Sequence, residues 1–183
     1  MKKLTIKPNT YILLTVLLLT LPIKWIVAWL AAITVHELSH YICVKVFGGA
    51  IYSIQITLAG VEMQCGNLSK RQVLLATICG PVGGLLFTPL GCYFPRTALC
   101  SFFLSLYNLL PVIPFDGGNA LRILIKSKRR FCYIQNISII LIFLFAIYAG
   151  LYLAIGVMPL LLALGIYIKN RKNPCQEGIC RVQ

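Results

Sequence analysis

The stretch IVAWLAAITVHELSHYICVKVF, from Ile26 to Phe47, places two imidazoles and one carboxylate in the middle of an apolar run. About 20 consecutive apolar residues suffice for a helix to cross the hydrocarbon core of a bilayer, and this run is long enough. A charged side chain at the bilayer centre costs about 2.5 kcal/mol or more on insertion scales, so such residues persist only when they are paired, hydrated or metal-bound. The stretch therefore predicts a transmembrane helix that carries a polar site.

The composition of the whole chain agrees with a membrane protein. Of its 183 residues, 59% are hydrophobic and 11% are charged, and the mean hydropathy is +0.86. A soluble domain has roughly a quarter of its residues charged. Apolar runs extend from Thr10 to Ile168 and leave no room for a soluble domain of ordinary size. We predict one membrane domain over residues 1–170 and a short cytoplasmic tail over residues 171–183.

Six helical spans follow from the hydropathy pattern. We place them at residues 10–23, 25–47, 70–92, 97–125, 131–149 and 151–168. With both termini in the cytoplasm, only Lys24 and Arg96 of the 17 lysines and arginines lie on the other side, as the positive-inside rule requires. The predicted fold class is an all-α membrane protein, a six-transmembrane helical bundle with a small membrane-associated β-hairpin between the second and third helices.

The net charge of +13 does not indicate a nucleic-acid partner. A nucleic-acid interface gathers its basic residues in one patch or stripe. Here they are scattered in short gaps between apolar segments, where membrane topology explains them. The lipid bilayer is thus the predicted partner, and no nucleic acid is expected.

The segment between the second and third helices changes from a helical to an alternating pattern. In IYSIQITL, which ends at Leu58, apolar and polar residues alternate, and the alternation continues from Val61 to Cys65. This pattern predicts a β-hairpin with Ala59 and Gly60 in its turn. Two interpretations stay open, an amphipathic connector or a strand edge that pairs with an extended peptide. Glu62, on the polar face, is predicted to be solvated rather than catalytic.

The motif His-Glu-x-x-His, from His36 to His40, contains both histidines of the chain. Residues four apart lie on the same face of a helix, so the two imidazoles can converge on one metal ion. Glu37 lies beside them and can act as a general base on water bound there. The alternative is a structural polar network between helices. Zinc chemistry is favoured because a third ligand of the right kind occurs later in the chain.

That ligand is predicted in YNLLPVIPFDGGNALRIL, from Tyr107 to Leu124. Two prolines and two glycines so close together cannot form an unbroken helix. Unwound backbone at membrane depth is tolerated only where it is buried in protein or lines a water-filled cavity. The segment therefore opens a pocket that contains the Asp116 carboxylate. His36, His40 and Asp116 leave a fourth position for water, as in a catalytic zinc site. Asn108 could hold the substrate carbonyl or bond a neighbouring helix, and both interpretations are open.

HELSH followed by NLLPVIPFDGG resembles the two signatures of the site-2 protease family of intramembrane zinc metalloproteases, peptidase family M50. The order of segments is most similar to the bacterial sporulation branch, which cleaves a membrane-tethered pro-sigma factor. The resemblance extends from about Lys7 to the end of the sixth helix and includes the element Gly80-Pro81. It implies one zinc ion per chain bound by His36, His40 and Asp116, with Glu37 as the base and Asn108 near the substrate backbone.

The resemblance also implies a function. The chain is expected to be a zinc metalloendopeptidase that performs regulated proteolysis of a membrane-anchored protein, a pro-sigma factor or another tethered regulator. The expected location is the bacterial cell membrane or forespore membrane. The resemblance also leaves open an inhibitory membrane partner. The alternative is a non-proteolytic zinc-binding membrane protein or transporter. A transporter needs polar groups along its path, and residues 131–168 contain no Asp, Glu, Lys, Arg or His.

The eight cysteines predict no disulfide framework. Cys43, Cys79 and Cys132 lie inside predicted helices, where a cysteine usually acts as a small buried hydrophobe. Cys92 and Cys100 flank the outer loop and could form a bridge in an oxidising compartment.

Overall fold

The computed structural model describes residues 3–6, 22–57, 60–152 and 181–182. They divide into two compact units between Leu109 and Leu110, and Arg181 and Val182 belong to the first unit. The predicted spans over residues 10–23 and 151–168 lie almost wholly outside the described residues, and so does most of the predicted tail.

Helices make up most of the first unit. They are α1 (Ile23–Val46), α2 (Lys70–Phe87) and α3 (Pro95–Asn108), and a 3₁₀ turn, Thr88–Cys92, continues α2. The helix predicted over residues 25–47 is confirmed as α1, with both ends within two residues of the prediction. The helix predicted over residues 70–92 is confirmed as α2, which starts at the predicted residue. The last turn of the second of them is 3₁₀ rather than α.

A capping box fixes the start of α2. The Ser69 backbone N–H donates to Gln72 Oε1 at 2.8 Å, and the Gln72 backbone N–H donates to Ser69 Oγ at 3.4 Å. The two bonds satisfy the backbone N–H groups of Ser69 and Gln72. The Gln72 N–H is one of the donors at a helix start that have no acceptor within the helix. The cap thereby sets the register of the helix that carries Ala76 and Gly80.

The predicted hairpin is confirmed, and it is the centre of a larger sheet. The strands are β1 (Lys3–Ile6), β2 (Ala50–Thr57), β3 (Gly60–Gly66) and β4 (Arg181–Val182), in the order β1-β2-β3-β4. β1 is parallel to β2, whereas β2, β3 and β4 are successively antiparallel. Gly60 pairs with Thr57 and so belongs to the strand, not to the turn as predicted. The prediction of an all-α protein with one isolated hairpin was therefore incomplete. Short segments from distant parts of the chain extend the sheet on both sides.

Two helices form the described part of the second unit, α4 (Asp116–Leu124) and α5 (Lys128–Tyr152). The span predicted over residues 97–125 is broken, as its prolines and glycines predict: one helix ends at Asn108 and the next begins at Asp116. Pro111 and Pro114 lie in the break, where a missing N–H and a fixed φ are tolerated. α5 starts before the predicted residue 131 and continues past the boundary predicted near residue 150.

Each unit has its own small core. In the first, the short side chains of Ala28, Ala32 and Cys100 pack together with Trp25 and Leu104 around them. Small residues let two helix backbones approach closely, which is common in membrane bundles. In the second, the core is formed by Val112, Phe115 and Ile139, with Leu110, Ile142 and Phe143 against it.

The outer faces of the helices are apolar. Val46, Leu86 and Phe145 are 76%, 72% and 67% exposed. Within the part of the chain that the structure describes, two helical segments, Ile23–Val46 and Lys70–Cys92, are long and apolar enough to cross a membrane. Such surfaces are what lipid contact requires. The full set of six spans is not confirmed and stays a prediction.

Candidate metal centre

The two histidines of the motif lie on the buried face of α1. His36 is 3% exposed and His40 is fully buried. Their Nε2 atoms are 3.2 Å apart, and the two rings meet edge to face with centroids 4.8 Å apart. The helical spacing of four residues therefore brings the two imidazoles to one point, as the sequence predicts.

The orientation of His40 is set by α2. Its Nδ1 lies 2.7 Å from the carbonyl oxygen of Ala76. A carbonyl only accepts hydrogen bonds, so Nδ1 carries a proton, and a neutral ring with that proton has its lone pair on Nε2. That lone pair points toward Nε2 of His36. An outer hydrogen bond of this kind fixes the tautomer of a metal-ligating histidine.

Gly80 makes room for the His40 ring. A Cβ placed on Gly80 would overlap the ring at Nε2, Cε1 and Cδ2. One turn further, a Cβ on Gly83 would overlap the hydroxyl of Ser39. In a membrane helix such glycines generally indicate close helix packing. The pairing of Gly80 with one particular imidazole could not be found from the sequence, because the contact joins residues far apart in the chain.

The geometry of the histidine pair fits zinc. Zinc–nitrogen bonds of ~2.0–2.1 Å at a tetrahedral angle place two ligating nitrogens ~3.3–3.4 Å apart. The observed separation of the two Nε2 atoms, 3.2 Å, is close to that value. At this separation a single metal ion can bind both nitrogens.

Glu37 lies next to the pair and is held by the sheet. Its Oε1 accepts a hydrogen bond from the backbone N–H of Val61 at 3.4 Å. Val61 is the second residue of β3, so the hairpin reaches the carboxylate of the metal motif. The sequence does not predict this contact, because the hairpin and the motif are separate segments of the chain.

Asp116 belongs to the second unit and is 2% exposed. It is the first residue of α4, where the helix dipole favours a negative charge. A Cβ on Gly118 would overlap the backbone of Val112, so the broken segment packs tightly on the first turn of α4. The Asn119 side-chain amide donates to the Pro114 carbonyl at 3.3 Å. These contacts fix the residue at which α4 begins, and this residue is Asp116.

Asn108 ends α3 and is half-buried. Its side-chain N–H donates to the Leu104 carbonyl of the same helix at 3.0 Å. One amide hydrogen is therefore used within the helix, and the predicted role at the substrate stays a prediction. The backbone of Glu62 pairs with Gln55 of β2.

The comparisons with known proteins agree with this architecture. The profile of peptidase family M50 matches residues 61–151, a range that includes Asn108 and Asp116 but not the HELSH motif. The structure is similar to the site-2 protease from Methanocaldococcus jannaschii, with a TM-score of 0.65 and 18% identity over 92% of this chain and 87% of that chain. No curated protein matches the chain.

The chain therefore has the fold of a site-2 protease. Residues 61–151 match the profile of peptidase family M50. The resemblance found in the sequence is confirmed at that level. The sporulation branch is not confirmed and stays a prediction.

Proposed function

We propose that this chain is an intramembrane zinc metalloendopeptidase that binds one zinc ion through His36, His40 and Asp116. The observation that carries the proposal is the pair of buried imidazoles with Nε2 atoms 3.2 Å apart. One of them is oriented by a backbone carbonyl, as metal-ligating histidines are. The match to peptidase family M50 supports the assignment to proteolysis.

Asp116 is proposed as the third ligand. It is buried, it offers one carboxylate ligand atom, and it begins α4 directly after the broken segment. Two histidines and a carboxylate are a donor set that zinc prefers, and three protein ligands leave one position open for chemistry.

Zinc, when bound, polarises a peptide carbonyl and lowers the pKa of water toward ~7. Glu37 is the proton carrier in this proposal. Its carboxylate takes a proton from the attacking water and returns it to the amine that leaves. The N–H of Val61 donates to Oε1 of this carboxylate and helps to hold it in place.

The proposed substrate is a membrane-anchored protein, either a pro-sigma factor or another tethered regulator, cleaved in regulated proteolysis. A helical substrate must unwind first, because its carbonyls otherwise accept hydrogen bonds within the helix. An unwound segment is proposed to add as a strand beside β3, outside the two residues at which β4 already pairs with it. Asn108 is proposed to contact the backbone of the unwound substrate.

The experiment that tests the proposal is Glu37→Gln in the full chain, co-expressed with a candidate membrane-anchored substrate. Loss of a general base typically lowers the rate ~10²–10⁴-fold, while zinc content should stay at the wild-type level. Glu62→Gln serves as the matched control and should cleave like the wild type. Wild-type cleavage by Glu37→Gln would refute the mechanism. Zinc binding without cleavage of any substrate by the wild type would favour the non-proteolytic alternative.

A further inference from the structure

Two cysteine sulfurs face each other between α1 and α2. The Sγ atoms of Cys43 and Cys79 are 2.7 Å apart. Cys43 is buried at 9% exposure, Cys79 is half-buried, and both are free thiols. Cys92 and Cys100, the pair that the sequence suggested for a bridge, are also free thiols.

Packing alone does not account for this distance. Nonbonded carbon atoms make their best contact at about 3.5–4.0 Å, and sulfur is larger than carbon. The sequence predicts Cys43 and Cys79 to be separate small hydrophobes, which would stay at or beyond that separation. At 2.7 Å the two sulfurs lie between a nonbonded contact and the ~2.0 Å of a covalent S–S bond.

We propose that Cys43 and Cys79 are a redox-active pair that forms a reversible disulfide between α1 and α2. This inference is independent of zinc binding and of proteolysis, because it uses neither the metal ligands nor Glu37. The two sulfurs must approach from 2.7 Å to ~2.0 Å for the bond to form.

The chemistry balances with a hydroperoxide as the oxidant. The sulfur of the more accessible Cys79 attacks the peroxide, the O–O bond breaks, and the alcohol leaves with the thiol proton, which gives a sulfenic acid. Sγ of Cys43 then attacks Sγ of Cys79, the S–S bond forms, and the S–O bond breaks. The second thiol proton leaves in the released water. Two electrons pass from the two sulfurs to the peroxide, and a thiol reductant reverses the result.

The position of the pair gives the bond a structural consequence. Cys43 follows His40 by three residues and lies on the same side of α1. Cys79 directly precedes Gly80, whose backbone packs against the His40 ring. A disulfide would therefore fix α1 to α2 beside the contact that orients His40, and would limit the relative sliding of the two helices.

The test uses the full chain in lipid nanodiscs. The wild-type protein is treated with cumene hydroperoxide, the remaining thiols are alkylated, and a non-reduced digest is mapped by mass spectrometry. The expected result is a peptide containing Cys43 joined to a peptide containing Cys79, lighter than their sum by two hydrogen atoms, and separated again by reductant. In Cys100→Ser the same linked peptide should form, because that thiol packs in the alanine cluster of α1.

In Cys79→Ser the linked peptide should be lost and Cys43 should be alkylated after denaturation. The proposal is overturned if both Cys43 and Cys79 of the oxidised wild type remain alkylatable. It is equally overturned if they link only to other cysteines. Because the main reading comes from the wild-type chain, the result does not depend on the folding of a variant.

Discussion

Nε2 of His36 and Nε2 of His40 lie 3.2 Å apart on one face of α1. The helix spacing supplies the proximity, and α2 supplies the orientation through the Ala76 carbonyl and the space left at Gly80. A motif of five residues thus reaches this geometry only because a second helix packs against it.

Gly80→Ala should weaken zinc binding. The added Cβ overlaps the His40 ring and displaces its Nε2. Loss of an outer contact of a ligating histidine typically lowers metal affinity ~10–100-fold. Competition against a chromophoric chelator measures the affinity. Gly91→Ala is the matched control, because a Cβ there would meet Ala98 at an ordinary 3.4 Å. Equal affinity in the two variants would show that Gly80 has no role in holding the imidazole.

Val61→Pro should slow cleavage without a matching change in substrate KM. The substitution removes the N–H that donates to Glu37, and hydrogen bonds to a charged group contribute about 1.5–3 kcal/mol when well formed. At 3.4 Å we expect the lower end, a loss of up to about tenfold in kcat. Val61→Ala keeps the N–H and should retain nearly full activity. A proline variant as active as the alanine variant would remove β3 from the mechanism.

Ser69→Ala should lower the free energy of unfolding by ~1 kcal/mol, because it removes the side-chain acceptor at the start of α2. Gln72→Ala removes the reciprocal bond to the Ser69 N–H. Since the two bonds form one capping box, the double variant should lose less than the sum of the single losses. Denaturant titration in mixed micelles measures all three. Strict additivity would mean that the two bonds act independently.

Local patterns in the sequence predicted a large part of this structure. The alternation from Ile51 to Cys65 predicted the hairpin, and the i, i+4 spacing of His36 and His40 predicted their convergence, because both depend on residues close in the chain. The prolines before Asp116 predicted a break at the position where the structure has one. Hydropathy alone joins residues 97–125 into one span, because it averages over such a break.

Long-range contacts were not predictable. β1 and β4 are too short to show a period of their own, and their pairing with the hairpin joins opposite ends of the sequence. The contacts of Val61 with Glu37 and of Gly80 with His40 depend on how separate elements pack. A single sequence contains no direct signal for such contacts.

The central claim is that two histidines of α1 and one aspartate of α4 bind a single zinc ion. Elemental analysis of the purified full chain, after removal of loosely bound metal, tests it most directly. We predict one zinc per wild-type chain and its loss in His36→Ala, His40→Ala and Asp116→Ala, with retention in Glu62→Gln. Proteolytically active protein without zinc, or wild-type zinc content in Asp116→Ala, would contradict the account.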